Sequence, residues 1–164
     1  METIATRFGV GSAVLAGIVG GLVFAIFEML ATAALMGFDS LFMPLRMIGA
    51  MVLGMEALDP SYPLLTAAIA GVIVHMVLSI AFAIVFAAVS PSTAATGTLV
   101  LLGIGFGIGL WLVNFYAIAP VAGWTWFPEQ TNPVVQFLAH AVFFGAPVGW
   151  YVGSARPVAV PSTF

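Results

Sequence analysis

Residues 64–89 read LLTAAIAGVIVHMVLSIAFAIVFAAV, a run without a single Asp, Glu, Lys or Arg. A bilayer core about 30 Å thick is crossed by about 20 apolar residues of α-helix. The run satisfies that length, and its apolarity is continuous. A barrel strand would alternate instead. Pro60 and Pro63 break the chain before it, and Ser90-Pro91 break it after.

Outward from this segment, three more stretches have the same character. One covers 10–36 and holds Glu28 as its only charge; the others cover 97–119 and 133–154 and hold none. The whole chain agrees. Of 164 residues, 5% are charged and 63% hydrophobic, against about 25% charged in an average soluble domain. Mean hydropathy is +1.22. Such a chain cannot cover a soluble surface with polar groups, and it is far too apolar to be disordered. Three basic residues cannot neutralise a phosphate backbone, so nucleic acid is not an expected partner. Cysteine is absent, which removes disulfides, thiolate metal sites and a Cys nucleophile. The expected architecture is all-α: an antiparallel four-helix transmembrane bundle forming one domain over 1–164, with membrane lipids around it.

A fifth segment, about 44–58, is too short to span. Asp39-Ser40 offers a cap, Pro44 suits a first turn, and LRMIGAMVLGMEAL follows up to Asp59-Pro60. It reads as a short helix lying at the interface or dipping into it. Arg46 is expected to pair with Glu28 or Glu56, or to anchor to headgroups. Met43, Met47, Met51 and Met55 recur every fourth position. Such a stripe could hold Cu(I), although packing is the simpler use of methionine.

Four spans put both termini on one side. Arg7 and Arg156 flank that side and Arg46 the other, so the positive-inside rule places the termini in the cytoplasm. Ala31-Thr32-Ala33 resembles a signal-peptide cleavage site, but the preceding apolar run is too long and is interrupted by Glu28, so no cleavage is expected. Trp124, Trp126 and Phe127 then fall in an outer loop and suit the headgroup region.

Apolar helices associate in lipid through small residues and polar contacts. Small residues recur at spacing four: Ala13, Gly17, Gly21 and Ala25; Ala67, Gly71, Ser79, Ala83 and Ala87; Gly103 with Gly107, and Gly105 with Gly109; Ala141, Gly145, Gly149 and Gly153. Each set lies on one helical face.

Ionisable or amide groups stand within the spans: Glu28, His75, Asn114 and His140, drawn from one span each, with Gln136 one turn before His140. At about 1.5 Å per residue, Glu28, Asn114 and His140 lie about 6–8 Å outward of their span midpoints, and His75 lies near its own. A modest tilt brings all four into one layer. The plainest reading is a hydrogen-bonded network that fixes helix register. The functional readings are a metal site of two His and a carboxylate, a path for protons or a small solute, and bis-His haem ligation. No local metal, nucleotide or nucleophile motif is present: GIGFGIG at 103–109 lies inside an apolar span rather than between a strand and a helix.

HMVLSIAFAIVFA from His75 and FLAHAVFFG around His140 resemble small bacterial inner-membrane proteins of the YagU type. That resemblance implies a bacterial inner-membrane location and singles out His75 and His140, and it supplies no activity. Function is therefore expected in one of three classes. The first is a non-enzymatic accessory subunit of a larger membrane complex, respiratory or redox, because the chain has almost no soluble part with which to act alone. The second is a small transporter or channel for protons, metal ions or a small solute. The third is a metal- or haem-binding membrane protein.

Overall fold

The computed structural model describes residues 9–155. Arg7 and Arg156, on which the expected orientation rests, lie outside them. Among the described residues there is helix and no strand. Four helices are long and apolar enough to cross a membrane: α1 (Val10–Met36), α3 (Leu64–Val89), α4 (Thr96–Ala122) and α6 (Pro133–Ser154). The chain is a multi-pass helical membrane protein. Two shorter helices, α2 (Met43–Leu53) and α5 (Trp126–Gln130), sit in the connections and mark the loop end of the bundle.

The small residues decide which helices touch. Gly17 and Gly21 of α1 lie against Ser79 and Ile80 of α3. Gly145, Gly149 and Gly153 of α6 lie against Gly103, Leu99 and Thr96 of α4. Phe24, Phe27 and Gly20 of α1 meet His140, Phe143 and Val148 of α6. The helices therefore follow one another in space as α3, α1, α6, α4, with antiparallel neighbours. The last pair, α3 and α4, is consecutive in sequence but packs only sparsely. Phe86 and Phe106 bridge that gap, and they join a core with Ala83, Ala87, Leu99 and Val152. Gly105 and Gly109 have nothing within 4 Å of a notional Cβ, so this second pair of small residues makes no helix contact.

α4 continues through Pro120 rather than stopping at Ala119. Proline lacks an N–H and crowds the carbonyl four residues back. The helix accommodates it with a wide π turn at Asn114–Ile118. Pro147 stands in the same relation to a second π turn in α6, Ala139–Gly145. Gly123, in the left-handed region at φ 78°, then ends α4.

The fifth segment packs along the start of α3. Leu45 lies against Gly71 and Gly49 against Ala67, so α2 runs antiparallel to the first turns of α3. Gly71 is seven residues into α3, about 10 Å from its start. The capping expectation fails: Phe42 precedes the helix with no side-chain cap, and Asp39-Ser40 belong to a separate 3-10 turn. The helix also ends early, at Leu53, because Gly54 turns left-handed at φ 92°. Met55–Leu58 form a distinct 3-10 turn.

Candidate functional site

The gap between α3 and α4 is a chamber of about 370 Å³ near the loop end. Its volume falls within the range of small-molecule sites, about 300–1,000 Å³. α1 and α6 form its back wall. α2 supplies Ile48 and Met51, and Trp124 and Phe127 fold over it from the α4–α6 connection. The structure brings Glu28, His75, Asn114, Gln136 and His140 to this one space.

Each polar side chain is placed by its own helix. The side-chain amide of Gln136 donates to Oε1 of Glu28 from α6 to α1, and Glu28 is only 6% exposed. His140, one turn on, sits in the wide turn of α6, with Nδ1 2.8 Å from the Gln136 carbonyl oxygen. His75 reaches across from α3, with Nε2 2.9 Å from the Gly21 carbonyl oxygen. A carbonyl only accepts, so these two ring nitrogens carry the protons. In the neutral rings, Nε2 of His140 and Nδ1 of His75 are left as acceptors. Phe24 touches both imidazoles, with ring centroids 5.1 Å from His75 and 4.8 Å from His140.

The remaining polar atoms have no protein partner: Oε2 of Glu28, the Asn114 amide, the Ser79 hydroxyl and the two free ring nitrogens. None of them is sealed in apolar packing. Among the described residues, the only sealed side-chain nitrogen or oxygen without a partner is Nε1 of Trp111. The unspent atoms of the chamber therefore face open space.

Among the described residues, no three His, Cys, Asp or Glu are grouped so as to hold a metal ion. The two-histidine, one-carboxylate shell is not assembled around a common point. Each histidine spends one ring N–H on a backbone carbonyl and keeps its other ring nitrogen as a free acceptor.

The residues of α2 behave differently from expectation. Among the described residues, Arg46 makes no ion pair with a carboxylate. It is buried, with Nη1 donating to the carbonyls of Ala57 and Asp59 at 2.8 and 2.9 Å, and Nη2 to that of Tyr62 at 2.9 Å. Its guanidinium thus ties the 55–62 segment to α2. Met43, Met47 and Met51 pack against one apolar cluster, the simpler use of methionine, and Met55 departs from that stripe. Met47 is buried at 6% exposure, Met43 and Met51 are partly buried, and Met55 stands beyond the helix at 62%. Trp126 is buried rather than interfacial, and its indole N–H donates to the Met47 carbonyl at 3.1 Å. That bond joins α5 to α2 over the chamber.

Ser79, Phe24, Trp124 and Phe127 also line the chamber. Ser79 is legible as a chamber residue, since it follows His75 by one helical turn. The aromatic residues carry no such signal.

Comparisons with protein-family models, curated proteins and solved structures give no match to this chain.

Proposed function

We propose that this protein is a small intramembrane carrier that takes a solute into the chamber between α3 and α4. The observation that carries this reading is the set of unpaired polar atoms facing an otherwise apolar space. A membrane protein that needed polar groups only to lock its helices would pair them with one another. For the same reason the carrier reading is preferred to that of an accessory subunit. The apolar side chains on the outer faces are those that lipid covers.

The core of Phe86, Leu99, Ala83 and Val152 closes the other end of the bundle. Among the described residues, that packed core separates the chamber from the far end of the bundle. Passage requires a rearrangement, and the two π turns beside the chamber are natural places for it, because their hydrogen-bond register differs from that of the flanking helix.

Flux across proteoliposomes tests the reading. The purified chain is reconstituted with a trapped pH dye for protons and amines, or a trapped Mn²⁺-quenched dye for Mn²⁺, and protons, Mn²⁺ and small organic solutes such as 2-phenylethylamine are offered in turn. Flux above protein-free vesicles for one of them, lost in the chamber-filling variant Asn114→Phe, is the expected result. Flux indistinguishable from protein-free vesicles for all three overturns it.

A further inference from the structure

We propose that the chamber takes a small monovalent organic cation with an apolar body, its charge beside Glu28 and its body among the aromatic rings. This rests on the chamber being a solute site, as proposed above, and names the class of solute.

The first argument is charge. A carboxylate inside a bilayer needs a compensating proton or cation. Among the described residues the only Lys or Arg is Arg46, and its guanidinium is committed to three carbonyls. Gln136 gives Glu28 a neutral donor on one oxygen, and the other faces the chamber unpaired. The protein thus leaves the counter-charge of Glu28 to be brought in from outside.

The second argument is the surrounding chemistry. Phe24, Phe82, Phe115, Trp124, Phe127 and Phe144 line the space. Aromatic faces attract a cation within about 6 Å, more strongly once it is desolvated. The free acceptor nitrogens of His140 and His75 can receive ammonium N–H bonds. An anion would meet Glu28 and two lone pairs. The titratable groups that share the chamber with Glu28 are His75 from α3 and His140 from α6; α4 contributes Asn114 and α2 the apolar Ile48 and Met51. Acidification therefore works against the cation in every case, by protonating Glu28 or by charging an imidazole.

Equilibrium dialysis of the full chain in lipid nanodiscs, against empty nanodiscs, separates the outcomes. The probes are 2-phenylethylamine, protonated at neutral pH, and 2-phenylethanol, a neutral donor of nearly the same bulk. The amine should saturate at one per chain and bind at least tenfold more tightly than the alcohol. Glu28→Gln, which keeps an oxygen for Gln136, should erase that preference. In the unaltered chain, lowering the pH should weaken the amine and leave the alcohol unchanged, a result that needs no variant to fold. Equal binding of the two probes overturns the cation assignment and leaves the solute chamber standing. A preference that survives Glu28→Gln also overturns it. Binding of neither probe overturns both the assignment and the chamber reading.

Discussion

The side-chain amide of Gln136 donates to the carboxyl of Glu28 from the neighbouring helix, across 108 positions of sequence. It ties α1 to α6 at the wall of the chamber, which both residues line. Removing one partner leaves the other buried and unsatisfied. Gln136→Leu should therefore cost about 1–3 kcal/mol, whereas replacing both partners with apolar residues should cost less than the two single changes together. Thermal melts of Gln136→Leu, Glu28→Leu and the double variant in detergent measure the coupling. Additive losses would show that the two side chains do not interact.

Two glycines on one helix should respond oppositely to the same change. A Cβ at Gly107 would collide with the backbone carbonyl of His140, while one at Gly105 meets nothing within 4 Å. Gly107→Ala must push α4 from α6 at the wide turn, at about 1–3 kcal/mol. Gly105→Ala should be neutral or stabilising by up to about 1 kcal/mol through helix propensity. Melting temperatures of the two variants make the comparison, and equal losses would contradict the packing described.

Arg46 should act as the clasp of the loop end. Arg46→Met leaves the carbonyls of Ala57, Asp59 and Tyr62 without their charged donor, and bonds to charged groups contribute about 1.5–3 kcal/mol. Amide exchange in 55–62 should accelerate strongly, with little change in the middle of α3. Arg46→Lys should recover only part of the protection, because a single ammonium cannot reproduce the planar fork. Unchanged exchange in Arg46→Met would count against the clasp.

The turn after this clasp should loosen in acid. Asp59 accepts hydrogen bonds from the hydroxyl and the backbone N–H of Ser61. These bonds, foremost, and the Arg46 charge hold its carboxyl below the ordinary carboxylate range. A carboxyl lowered by folding stabilises the fold above its unfolded value, about 3.9, and loses that contribution as pH falls through the folded value. Local order at 59–62 should thus persist to below about pH 4. In Ser61→Ala it should fail at higher pH, because one donor is gone. The backbone amide shift at position 61, followed against pH in the unaltered chain and in the variant, reads this directly. Coincident titration curves would show that the hydroxyl does not hold the carboxyl.

These features differ in how far the sequence discloses them. The four spans are legible because twenty-odd apolar residues in a row have few other uses. The convergence of Glu28, His75, Asn114 and His140 is legible in outline from depth and helical face. Their partners are not. Gly103 and Gly105 carry the same spacing, yet two residues turn a helix by about 200°, and only the neighbouring helix decides which pair is covered. The end of α2 at Gly54 is hidden because the apolar pattern continues through Met55 and Leu58. Trp126 reads as interfacial from composition, and only the fold of the α4–α6 connection shows that it is buried against Met47.

The absence of cysteine allows the chamber to be probed one thiol at a time. Asn114→Cys places a thiol in the chamber wall, Ala13→Cys places one in the sealed core, and Gln130→Cys places one on the exposed connection. Thiolate is the reactive form, so absolute rates mix exposure with local thiol ionisation. The ratio of rates for a cationic and an anionic methanethiosulfonate cancels that mixture at each site. With Glu28 facing the chamber, the ratio at position 114 should exceed the ratio at 130 by about tenfold, the equivalent of about 1.4 kcal/mol. The introduced Glu28→Gln change should bring the two ratios together. A thiol at 114 as inert as one at 13 would mean that the chamber is closed to solutes. Equal ratios at 114 and 130 would mean that Glu28 exerts no pull on what comes in.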